Sequence, residues 1–98
     1  MASFAWFTRR APSPMAAAIA AHGGHAVYEA IAVSEVLALM EQHSIQILII
    51  DSTVDDDAAR ELQQRLVTLR LQPHATTAEI LWELSGILAD PNLRDGTQ

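Results

Sequence analysis

The run Ile45-Gln46-Ile47-Leu48-Ile49-Ile50-Asp51 constrains the fold more than any other part of the chain. A β-branched apolar stretch that ends in a carboxylate has no polar face to offer solvent. It reads as an interior strand of a parallel sheet, covered on both sides. Parallel strands need crossover connections, and the flanking segments supply them. Ser3-Phe4-Ala5-Trp6-Phe7-Thr8 reads as a short aromatic strand, and His25 to Ile31 alternates enough for a second, more exposed one. Ser13-Pro14 predicts an N-cap followed by proline at the first helical position. That helix runs to about His22, stops at Gly23-Gly24, and turns Met15, Ala18, Ile19 and His22 inward. Ser34 is expected to cap a second helix, from Glu35 to about His43, with Val36, Leu37 and Met40 facing the core. Asp55-Asp56-Asp57 puts negative charge at the start of a third helix, where the helix dipole favours it.

The stretch after Arg65 admits two readings. Val67, Leu69 and Leu71 alternate with Thr68 and Arg70 as in a half-exposed edge strand. Ala59, Leu62, Leu66 and Leu69 also share one helical face. The strand is preferred, because without it the very apolar third strand would be an open edge. Pro73 ends either element, and Thr76 or Thr77 caps a last helix with Ile80, Leu81, Leu84, Ile87 and Leu88 inside. Asp90-Pro91 closes that helix, and residues 91–98 read as a loose polar tail. The expected fold is a three-layer α/β sandwich of flavodoxin-like type. Its sheet has four parallel strands in the order 2-1-3-4, within a single domain spanning residues 1–98.

Composition narrows the function. Half of the 98 residues are hydrophobic, enough for one core, and the absence of cysteine excludes disulfides and thiolate metal sites. A net charge of −6 argues against nucleic acid, whose phosphates require a basic face. No apolar run approaches the ~20 residues of a membrane span. Arg9 and Arg10 before the alanine-rich block outwardly resemble a secretory leader. That block carries only Met15 and Ile19 as strong hydrophobes, so it is read as a helix of a cytoplasmic domain. His22 and His25 flank two glycines, with His43 and His74 far off, which falls short of a metal-ligand set. All six basic residues are arginines; there is no lysine.

Several segments together resemble a response-regulator receiver domain. Gly24 to Ala30 is similar to the family's stretch from helix one through strand two, and Glu35-Val36-Leu37-Ala38-Leu39-Met40 to its second helix. Ile47-Leu48-Ile49-Ile50-Asp51 matches its third strand, with Asp51 at the phospho-acceptor position. Leu71-Gln72-Pro73-His74 followed by Ile80-Leu81 resembles the last strand and helix, which begin around a Lys-Pro pair. The resemblance implies a signalling protein of bacterial type. It also defines departures. One strand–helix unit is missing before the final strand. The acidic pair that holds magnesium falls at Thr8 and Arg9, and the phosphate-contacting lysine at Gln72.

Phosphoryl transfer to a carboxylate needs a cation to neutralise developing charge and groups that position the phosphate. Asp51 alone supplies one ligand where magnesium takes more oxygen around it. The chain is therefore expected to be non-catalytic, free of cofactor and metal, with Asp51 a degenerate acceptor held by Arg9 as a fixed counter-ion. Asp55-Asp56-Asp57 reads as a solvated helix start. The expected function is protein–protein interaction, with self-association as a homodimer. Arg70, Ile80, Trp82 and Glu83 are the candidate interface residues, because an aromatic amid small residues on the last helix suits a binding hot spot. Two alternatives stand beside it: a working phospho-receiver switching at Asp51, and a likeness to sigma-factor-antagonist domains, phosphorylated at Ser52.

Overall fold

The computed structural model describes residues 3–10 and 13–89. Eight elements alternate strictly: β1 (Ser3–Phe7), α1 (Pro14–Gly23), β2 (Ala26–Ala30), α2 (Val33–Gln42), β3 (Ile47–Ile50), α3 (Asp56–Gln63), β4 (Val67–Arg70) and α4 (Thr77–Leu88). The four strands form one all-parallel sheet in the order β2-β1-β3-β4, as expected. β3 is buried at every position, since it lies between β1 and β4 and under helices on both faces.

Strand alternation divides the core into two layers. Ala5, Phe7, Leu48 and Ile50 face α2 and α3, where they meet Val36, Ala58, Ala59 and Leu62. Phe4, Trp6, Ile47 and Ile49 face α1 and α4, where they meet Ala16, Ile19, Ile80 and Leu84. Crossovers of a single hand require this split. The step from β1 to β2 runs opposite to those from β2 to β3 and β3 to β4, so α1 covers one face and α2 and α3 the other. Among the described residues no helix is long and apolar enough to cross a membrane.

Helix ends follow local chemistry. Ser13 accepts from the Ala16 N–H at the start of α1, and Gly24 closes that helix at φ 65°, a left-handed conformation that glycine adopts without strain. Asp55 caps α3, and Thr76 with Glu79 forms a full capping box on α4.

Two expectations change, and one ambiguity resolves to the preferred reading. Ser34 is not a cap: α2 begins at Val33 behind Ala32, and Glu35 instead reaches back to accept from the Ile31 N–H at 2.9 Å. Ser34 lies inside the first turn, and the Val36 N–H that a Ser34 cap would serve donates to the Ala32 carbonyl at 3.2 Å. The inner stripe of α1 is Ala16 and Ile19, with Met15 and Ala18 half-buried and His22 exposed. A helix that begins at Pro14 brings Ala16 under the sheet and turns His22 to solvent. The ambiguous stretch after Arg65 is strand from Val67 to Arg70, because β3 gains a partner there and α3 stops at Gln63. Asp90-Pro91 and the tail lie outside the described residues.

Candidate functional site

In an open parallel sheet, ligands bind where strand order reverses, beyond the carboxyl ends of the strands. Here that point lies between β1 and β3, whose crossovers depart in opposite directions. The Asp51 N–H donates to the Phe7 carbonyl at 3.1 Å, and the Thr8 N–H to the Ala30 carbonyl at 3.0 Å. These bonds carry the sheet pattern one step past the strands and bring Thr8, Arg9 and Asp51 together.

Thr53 is the hub of the group. Its main-chain N–H donates to Asp51 Oδ1 at 2.9 Å, and its hydroxyl donates to the same oxygen. A hydroxyl has one proton and two lone pairs. With that proton on Asp51, the Thr53 oxygen accepts from the Arg9 N–H at 2.9 Å and from the Thr8 hydroxyl at 3.3 Å. Thr8, only 1% exposed, accepts in turn from the Arg10 N–H at 3.1 Å. A relay Arg10 N–H to Thr8 O–H to Thr53 O–H to Asp51 therefore fills the switch point, and the Thr53 hydroxyl has no valence left for a ligand. Sequence reasoning missed Thr53, although an aspartate accepting from the N–H two residues on is a recognised turn pattern.

Arg9 is a counter-ion, but not for Asp51. Its guanidinium lies over the Phe7 ring at 4.9 Å, donates to the Ile31 carbonyl at 2.7 Å, and pairs with Asp55 Oδ1 at 3.0 Å. The expected Arg9–Asp51 pair is corrected to Arg9–Asp55, because the two Thr53 donors already occupy Asp51 Oδ1 while Asp55 stands at the head of α3. The pair ties the β1–α1 loop to the cap of α3.

The Arg9 hydrogen bond, followed by the Ala58 N–H, holds the Asp55 carboxyl below its ordinary value. A depressed carboxylate stabilises the fold above its unfolded pKa, and that contribution fades as pH falls through the folded one. Carbon-detected NMR titration should show Asp55 moving upward in Arg9→Ala, with part of the acid-side stability lost. An unchanged Asp55 midpoint would mean that the ion pair is not formed in solution.

Asp51, Ser52 and Gln72 meet around a cleft of about 180 Å³, with Trp6 and Pro73 in its walls. The structure thus brings Asp51 and Gln72, which the resemblance sets at a receiver's acceptor and lysine positions, to one place, and Ser52 is exposed beside them. Among the described residues no three His, Asp or Glu side chains converge in a way that could hold a metal ion.

A larger cleft, about 370 Å³, adjoins the smaller one at the same end of β4, between that strand and α4, and shares Leu71, Gln72 and Ala75 with it. Arg70, Ile80 and Glu83 line it. Ile80 is 1% exposed and supports the cleft from within the core, whereas Trp82 is 67% exposed on the outer side of α4. Arg70 pairs with Asp56 at 2.7 Å on the α3 side of the sheet. Comparison with protein-family models and with curated protein sequences finds no match to this chain.

Proposed function

We propose that the chain is a receiver-like interaction module that does no phosphoryl transfer and binds protein through its β4–α4 side, with a second copy of itself among its partners. In this reading it serves bacterial-type signalling in the cytoplasm. The observation that carries the reading is the filled switch point. Asp51 Oδ1 accepts from both donors of Thr53, and the Arg9 guanidinium is committed to Asp55. A carboxylate that accepts phosphate needs free cationic help in place. The acids and the lysine that give a receiver its chemistry are replaced here by Thr8, Arg9 and Gln72. The neighbouring β4–α4 side has the character of a contact surface: an open strand edge, a cleft with Arg70 and Glu83 at its rim, and the exposed Trp82 on α4.

An amide NMR titration with magnesium and then beryllofluoride, a phosphoryl mimic, separates the readings. Unchanged spectra at millimolar concentrations of both are expected. Shifts that start at Asp51 and spread to α4 would identify a live switch and overturn the proposal.

A further inference from the structure

Among the described residues the outer edge of β4 has no strand beside it. The Leu71 N–H donates to the Ile50 carbonyl at 2.8 Å, and Ile50 stands opposite Arg70 in the parallel register. In a parallel ladder alternate residues turn both main-chain groups to one neighbour. Val67, Leu69 and Leu71 therefore spend theirs on β3, and Thr68 and Arg70 present two N–H and two C=O groups to the open side. The side chains divide the same way. Leu69 and Leu71 pack with the α1–α4 layer, while Arg70 reaches Asp56 on the α3 side. Val67 shares the parity of Leu69 and is 42% exposed.

We infer that two copies join edge to edge through antiparallel β4 strands, on a two-fold axis at Leu69, to make one continuous sheet. The inference rests on the interaction reading above and specifies its partner. In this register Thr68 of each copy faces Arg70 of the other, and all four outward main-chain groups of each strand are satisfied. Leu69 then faces its own image, and Val67 faces Leu71 of the other copy. Because a two-fold at Leu69 preserves side-chain parity, the apolar row falls on apolar row.

Charge selects the same direction. The entry to β4 carries exposed Arg65, whereas its exit opens on the cleft bearing Glu79 and Glu83. Antiparallel strands bring the basic entry of each copy to the acidic exit of the other; parallel strands would set like against like. Arg70, neutralised by Asp56, adds no repulsion across the axis.

The chain lacks cysteine, so single introduced thiols report the register. A residue facing its image at a non-hydrogen-bonded antiparallel position lies about 4.5 Å away between Cα atoms, within disulfide reach. Under mild oxidation Leu69→Cys should form a covalent dimer. Val67→Cys and Leu71→Cys should each stay largely uncoupled alone and cross-link when mixed. Thr68→Pro removes an outward donor and leaves the β3 ladder intact. It should abolish the concentration-dependent dimer in sedimentation velocity, with its circular dichroism unchanged. A chain that stays monomeric at millimolar concentration, with no Leu69→Cys product, overturns the inference. A dimer that survives Thr68→Pro and cross-links through Trp82→Cys instead overturns the strand pairing while the interaction reading stands. The magnesium and beryllofluoride titration judges that reading separately.

Discussion

Trp6→Ala should cost about 3–5 kcal/mol, the usual range for deleting a buried aromatic. Trp6 is 1% exposed and packs with Phe4, Ile47, Ile49, Ala16, Ile19, Ile80 and Leu84, so it joins β1 and β3 to both helices of one layer. A domain of this size has about 5–15 kcal/mol of net stability, so the loss takes much of it. The melting midpoint should fall by roughly 12 °C or more, followed by circular dichroism. Trp6→Phe should behave differently. The indole Nε1 is buried with no hydrogen-bond partner among the described residues, a group that costs about 1–3 kcal/mol to leave unpaired. Phenylalanine removes that N–H along with some volume. The two effects oppose each other, and a net change within about 1.5 kcal/mol is expected. If Trp6→Phe proves as damaging as Trp6→Ala, the N–H is satisfied in solution and the packing account of Trp6 is incomplete.

The sheet was legible because its strands carry strong, short-range signals. Ile47 to Ile50 has no polar face, so burial on both sides and a central place follow from composition alone. Strand order then follows from handedness and from the need to cover that strand's second edge with Val67 to Arg70. Ends governed by one side chain were harder to read. Ser34 resembles a cap, yet the helix starts one residue before it, so Ser34 lies inside the first turn and the Val36 N–H goes to the Ala32 carbonyl. At the switch point, sequence placed Thr8, Arg9, Asp51 and Gln72 at one end of the sheet. It did not reveal which donor meets which acceptor. That choice depends on loop path: the turn after β3 delivers Thr53 to Asp51 and swings Asp55 to Arg9. On β4, alternation revealed which residues are apolar, while the direction of the main-chain groups needed the register with β3.

Thr53→Val tests whether the filled switch point matters to the protein. Valine keeps the shape and deletes the hub. The buried Thr8 hydroxyl then loses its acceptor, the Arg9 N–H loses its own, and Asp51 keeps only the Thr53 main-chain N–H. A loss of about 1–3 kcal/mol is expected in urea denaturation, and Thr53→Ser should restore most of it. Asp51→Asn should cost less than Thr53→Val, because an amide oxygen still accepts from both Thr53 donors. The reverse order would mean that charge at Asp51, and not the relay, carries the stability. Under the proposed reading Asp51 is inert, and the same variant separates two reasons for it. If Thr53 blocks the site, Thr53→Val should acquire a response to magnesium at Asp51. If the site is silent because Thr8, Arg9 and Gln72 supply no metal ligand or phosphate-binding cation, Thr53→Val should stay as unresponsive as the parent chain. The second result is expected, since opening a hydrogen-bond lock adds no carboxylate. It would make the side chains of Thr8, Arg9 and Gln72, ahead of the hydroxyl lock, the reason that the proposed module takes no phosphate at Asp51.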